Sequence, residues 1–162
     1  RDARGFFLEF YHQKKYRDAG IDVTFVQDNH SRSTKGTLRG LHAQRTKPQG
    51  KLVRCLEGEV YDVAVDIRRA SPSYGRWVSV VLSAENRVQI FVPKGFAHGY
   101  LTLEPDTEVF YKVSDFYSPG REGGLAWDDP ALAIDWGVAA PDVVMADRDR
   151  QYPRLADLGA VF

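Results

Sequence analysis

One cysteine stands in 162 residues, neither sign of charge predominates, and no apolar run approaches the length of a membrane span. Cys55 therefore has no partner for an internal disulfide. It sits in the strand-like run Leu52-Val-Arg-Cys55-Leu56 and reads as a buried, inert thiol rather than a nucleophile. Lys plus Arg and Asp plus Glu both number 22, which removes the usual electrostatic case for a nucleic-acid protein. With no stretch of about 18 apolar residues and no leader-like segment, the expectation is a cytoplasmic protein without a membrane partner. Also absent are the phosphate-cradling Gly-x-x-x-x-Gly-Lys-[Ser/Thr], the dinucleotide Gly-x-Gly-x-x-Gly and the Gly-x-Ser-x-Gly of serine hydrolases. Nothing repeats at a fixed period.

What is present is a succession of short β-like runs: Phe6–Phe10, Val23–Val26, Thr37–Gln44, Lys51–Glu57, Val60–Ile67, Arg76–Leu82, Val88–Val92, Ala97–Leu103 and Thr107–Val113. Most are bounded by Gly, Pro, Ser or Asp. A helix is expected only within Tyr11–Ala19, stopped by Gly20. This pattern predicts an all-β protein, an antiparallel sandwich or barrel with few short helices. The length fits a single domain over residues 1–162, large enough to bury roughly 70% of its unfolded surface without disulfides or metal. From Ser114 the chain is rich in breakers, and such a segment usually packs over a site or an edge.

Leu38-Arg39-Gly40-Leu41-His42-Ala43-Gln44 places a cation and an imidazole three residues apart. Strict alternation would put Arg39, Leu41 and Ala43 on one face and Gly40, His42 and Gln44 on the other. His42 reads either as a core histidine or as a general base, imidazole being the side chain that titrates nearest neutral pH. Arg39 suits bidentate phosphate binding. In Val60-Tyr-Asp62-Val-Ala-Val-Asp66, Asp62 lies between apolar neighbours and calls for a cationic or histidine partner. Tyr111 reads as a core phenol or a proton donor, Lys51 as a strand-start lysine, and Asp147–Arg150 as a solvated charge run. Pro93-x-Gly95-x-x-His98 looks like the second metal motif of cupins. The first requires His-x-His, and Leu41-His42-Ala43-Gln44 supplies one histidine, so no three-ligand set is complete and no metal is expected.

Taken in order, Phe25-Val-Gln27-Asp-Asn29, Lys35-Gly-Thr-Leu38-Arg39-Gly40-Leu41-His42-Ala-Gln44, Lys51-Leu-Val, Asp62-Val-Ala-Val-Asp66-Ile-Arg68, Ser71-Pro-Ser-Tyr-Gly75, Pro93-Lys-Gly95-Phe-Ala-His98-Gly99, Tyr111-Lys112-Val and Trp127-Asp-Asp129-Pro130 resemble the dTDP-4-dehydrorhamnose 3,5-epimerase family, jelly-roll enzymes of the cupin superfamily. The resemblance runs from Asp2 to Asp149. It implies His42 as catalytic base with Asp149 as its carboxylate partner, Tyr111 as general acid, and Lys51 as the cation at a developing enolate oxygen. It implies Arg39 and Arg148 as substrate-binding cations, with Arg4, Glu9, Gln27, Asn29, His98 and Glu122 also lining the pocket and Asp62 in support. The implied reaction is inversion of C3 and C5 in a dTDP-linked 4-keto-6-deoxyhexose, without a cofactor, in a homodimer that exchanges strands. A single-carbon epimerase and a non-catalytic sugar-binding jelly roll are the alternatives. Ala43 and Arg148 depart from the family, which usually has an aromatic residue and a lysine at these places.

Overall fold

The computed structural model describes residues 2–159; Arg1 and residues 160–162 lie outside the described residues. One short helix, α1 (Gln13–Asp18), precedes nine strands: β1 (Gln27–Ser33), β2 (Leu38–Gln44), β3 (Lys51–Glu57), β4 (Glu59–Asp66), β5 (Trp77–Ser83), β6 (Gln89–Val92), β7 (Phe96–Thr102), β8 (Thr107–Val113) and β9 (Glu122–Gly124). They form two antiparallel sheets, ordered β1-β8-β3-β6 and β5-β4-β7-β2-β9.

Two apolar clusters hold the layers. Between the sheets lie Val53, Cys55, Val60, Leu82, Tyr100 and Val109, drawn from both. On the other face of the five-stranded sheet, Leu38, Leu41, Val63, Val65, Ala97 and Leu101 meet Leu125, Trp127, Leu132, Trp136 and Val143 of the tail. The breaker-rich tail thus covers a sheet face. This explains why central β4 is buried on both sides, with only Glu59 and Tyr61 partly exposed. Cys55 is buried as expected, its thiol donating to the Glu57 carbonyl and pushed up to about 11 by burial.

Two expected strands are not formed. Phe6–Phe10 is irregular, with Phe7 96% exposed: an apolar run that finds no ladder partner within one chain. Val23–Val26 gives way to β1 just beyond it, where the Val26 N–H donates to Val113. Strand β1 is polar, Gln27-Asp-Asn-His-Ser-Arg-Ser. Its inward residues face a polar cavity rather than the core, so hydrophobic alternation could not reveal it.

Asp66 clamps the turn after β4. Its carboxylate, 1% exposed, accepts hydrogen bonds from the Arg68 backbone N–H and guanidinium and from the Ser71 and Ser73 hydroxyls at 2.6–3.0 Å. The Arg68 guanidinium, foremost, holds this carboxyl far below the ordinary carboxylate value against the upward push of burial. Asp66→Ala should lose about 3 kcal/mol of stability in urea unfolding, the order expected when a buried carboxylate that holds a turn through several charge-assisted hydrogen bonds is removed. A folded-state value below the unfolded one stabilises above the unfolded value and ceases to do so as pH falls through the folded one. The gap between wild type and Asp66→Asn should therefore be full at about pH 6 and narrow below about pH 4. A gap that stays constant into acid would contradict the assignment.

Candidate active site

The two sheets part at one end to leave a cavity of about 280 Å³. The four-stranded sheet lines it with Gln27, Asn29 and Ser31 of β1, Lys51 of β3 and Tyr111 of β8. The five-stranded sheet lines it with Arg39, His42 and Gln44 of β2 and with His98 and Tyr100 of β7. Tyr117, Glu122 and Arg148 complete it from the later segments. Each wall follows from register. Tyr111 pairs with Asn29 on one side and Val53 on the other, and Val113 pairs with both Gln27 and Lys51, so alternate residues of three strands point inward together.

Strand β2 departs from the expected alternation. Arg39, His42 and Gln44 face the cavity, while Leu38, Leu41 and Ala43 join the outer cluster, Ala43 also touching the cavity. A register shift between Arg39 and His42 against β7 changes the phase by one residue, so Arg39 shares the His42 face instead of opposing it. Glycines make the shift possible. Gly40 has φ +128°, and a Cβ there would lie 2.7 Å from Gly99 Cα; one on Gly99 would lie 2.7 Å from the Arg39 carbonyl oxygen. The close pass leaves His42 directly across from His98, both imidazoles on the inner face.

Two imidazole–carboxylate pairs result. His42 Nε2 lies 2.9 Å from Asp149 Oδ1, leaving Nδ1 as the ring nitrogen free to take a proton. Asp149 is 3% exposed and also accepts the Gly40 N–H at 3.3 Å. Burial pushes its carboxyl up. The His42 hydrogen bond and charge, with Gly40 and Arg148, outweigh that and hold it below the ordinary value. Asp149 is therefore no solvated charge: a short 3-10 turn, Asp149–Gln151, buries it under β2. The second pair is His98 with the fully buried Asp62, whose two oxygens lie 2.9 Å from His98 Nε2, the partner its apolar setting required.

Lys51 forms no hydrogen bond or ion pair among the described residues. Desolvation brings its pKa down to about 8, with Asp62 and Glu122 acting in the opposite direction. Burial raises Tyr111 above the ordinary phenol value; Arg39 lowers it and Glu122 raises it. At neutral pH the phenol is protonated and the ammonium charged. Arg39 Nε donates to Ser33 Oγ at 3.0 Å, and Arg148 pairs with Glu122 at 2.7 Å on the cavity rim.

Of the residues expected at the site, Arg4 and Glu9 are not brought to it within one chain. Both are exposed on the N-terminal segment, Arg4 paired with Asp2 and Glu9 with Lys15. Six lining residues were not among the expected site residues: Ser31, Ala43, Gln44, Gln49, Tyr100 and Tyr117. Tyr100 follows His98 by two and Ser31 follows Asn29 by two, so alternation alone could have found them; Tyr117 leaves no such signal. Among the described residues no group of three or more His, Cys, Asp or Glu side chains is placed to hold a metal ion.

A two-sheet sandwich carrying an imidazole–carboxylate pair, a phenol on the facing sheet and a desolvated lysine in one interior cavity defines a class: cupin-type jelly-roll enzymes with groups suited to proton transfer. The family model described as dTDP-4-dehydrorhamnose 3,5-epimerase matches residues 1–157, and the chain belongs to that family. The dTDP-4-dehydrorhamnose 3,5-epimerase of Pseudomonas aeruginosa is 52% identical over 96% of this chain and 86% of its own length. The enzyme of the same name from Methanothermobacter thermautotrophicus is 47% identical over 96% and 85%. The crystal structure of dTDP-6-deoxy-D-glucose-3,5-epimerase from Legionella pneumophila, in complex with dTDP-4-keto-L-rhamnose, superposes with a TM-score of 0.95 at 48% identity, over 99% of this chain and 85% of that one.

Proposed function

We propose that this chain epimerises dTDP-4-dehydro-6-deoxy-D-glucose at C3 and C5, giving dTDP-4-dehydro-L-rhamnose. The observation that carries the reading is the placement of His42 and Tyr111 on opposing sheets across one cavity. A sugar ring lying between them offers one face to each.

The C4 ketone makes the hydrogens on both C3 and C5 acidic, so one device serves both carbons. His42 takes the proton, and the C–H electron pair moves into a carbon–carbon double bond as the C4 oxygen becomes an enolate. Lys51, desolvated and unpaired, is the charge at that oxygen. Asp149 holds the imidazole in place and stabilises its protonated form. Collapse of the enolate draws a proton from the Tyr111 hydroxyl onto the opposite face, inverting the carbon. Proton exchange with solvent resets imidazole and phenol before the second carbon reacts. Arg39 and Arg148 bind the diphosphate, whose binding energy is spent on holding the ring in line. Gln27, Asn29, His98 and Glu122 contact the rest of the substrate, with Asp62 fixing His98. The proposed chemistry uses side chains alone. NMR of the sugar-nucleotide incubated with purified protein tests the reading: the L-configured product is expected, and unchanged substrate would overturn it.

Lys51 sets the alkaline limit. Its charged form prevails below about pH 8, so kcat should fall as pH rises through that value. In Lys51→Arg, which stays charged, the fall should move to higher pH; an unmoved limb would remove Lys51 from the role.

A homodimer is part of the proposal. The exposed Phe6 and Phe7 segment would add to a sheet of a second copy and carry Arg4 and Glu9 towards that copy's cavity. Sedimentation at the mass of one chain would contradict it. A cytoplasmic location accords with the nucleotide-linked substrate, and no helix among the described residues is long and apolar enough to cross a membrane.

A further inference from the structure

We propose that Tyr152 is a positioning residue for the base: its aromatic ring, not its hydroxyl, holds the His42 imidazole in line and keeps bulk water from the His42–Asp149 pair. This rests on His42 being the proton-abstracting base and adds a residue that does not line the cavity.

Three observations converge on Tyr152. Its ring meets the His42 ring edge-on, centroids 5.9 Å apart at 82°. It also packs against Gly124, where a Cβ would stand 2.4 Å from two of its ring carbons. Gly124 is the residue of β9 directly paired with His42, so the glycine opens a slot beside the imidazole and the tyrosine fills it. Finally, Tyr152 follows the 3-10 turn that carries Asp149, which ties the wall to the carboxylate that orients the base. Burial first, then the Asp149 charge, pushes the phenol up to about 12, so it adds no charge near neutrality.

The consequence is physical. With the slot open, the imidazole is free to turn out of line with the substrate carbon. The loss should fall on kcat rather than KM, because Tyr152 does not line the cavity that holds the substrate. The other charged or titratable groups facing His42 are Asp149, Arg148 and Glu122, with His98, Arg39, Lys51 and Tyr111 around the cavity, and all remain in a Tyr152 variant.

Tyr152→Ala tests this, with Tyr152→Phe and His42→Asn beside it. Tyr152→Ala should lower kcat about tenfold, a modest instance of misplacing a reacting group, and leave KM within about twofold. Tyr152→Phe should restore kcat. A Tyr152→Ala enzyme with unchanged kcat, or one whose loss lies in KM alone, would overturn the inference. So would a Tyr152→Phe enzyme that behaves like Tyr152→Ala, because the hydroxyl would then carry the effect. If Tyr152→Ala does not fold, Tyr152→Leu, which lacks the aromatic ring edge packed on Gly124 and His42, carries the same expectation. Should His42→Asn retain activity, the base assignment itself fails, an outcome distinct from a silent Tyr152.

Discussion

His42→Asn should abolish both inversion and solvent exchange, lowering each by about 10³-fold or more, within the ~10²–10⁴ that a positioned base supplies. Asparagine approximates the shape of the imidazole and can still hydrogen-bond to Asp149, so the fold and substrate affinity should persist while proton abstraction stops. In the proposed reaction the imidazole alone accepts the substrate proton, and Asp149, 2.9 Å from it, acts through it. Asp149→Asn should therefore be milder, about 10²-fold, since the amide oxygen still accepts a hydrogen bond but no negative charge stabilises the imidazolium. Kinetics and deuterium incorporation measured side by side check the pair. An His42→Asn protein that still washed deuterium into C5 at a near-normal rate would remove His42 from its role.

Tyr111→Phe should separate two events that coincide in the wild type. The four-stranded sheet carries Tyr111 on the wall facing His42, so losing the hydroxyl leaves abstraction intact and removes the proton source on the other face. His42 can then take a proton, exchange it with solvent and return it to the same side. Deuterium should enter the substrate while inverted product falls by about 10²-fold or more. A water lodged in the vacated space would soften the fall, so the ratio of exchange to inversion is the telling quantity. If both drop in parallel, Tyr111 orders the pocket rather than delivering the proton.

Much of the fold was legible because most strands bury at least one face. Strands β3 to β8 coincide with runs of alternating or continuous apolar residues to within about two positions. Strand β1 was hidden because its inward residues, Gln27, Asn29 and Ser31, line the cavity: the residues that make it functional erase its hydrophobic signature. Strand β9, Glu122-Gly-Gly124, is short and glycine-bearing because the Tyr152 ring and the Arg45 side chain occupy the space where Cβ atoms would stand. At β2 the residue types were right and the geometry was not. Alternation placed Arg39 opposite His42, and only the register shift against β7 brings them to one face. Asp149 could not be placed from periodicity at all. A carboxylate between two arginines reads as solvated until the tail folds over the sheet and buries it beside His42. Resemblance identified that pair where pattern could not, since the contact spans more than a hundred residues of chain.

The central claim is that one base in one cavity serves two carbons. Wild-type protein incubated with dTDP-4-dehydro-6-deoxy-D-glucose in D₂O and followed by NMR tests it most directly. The expected result is deuterium at both C3 and C5 of a product with the L-rhamno configuration. Deuterium and inversion at a single carbon, or substrate recovered unlabelled, would contradict it.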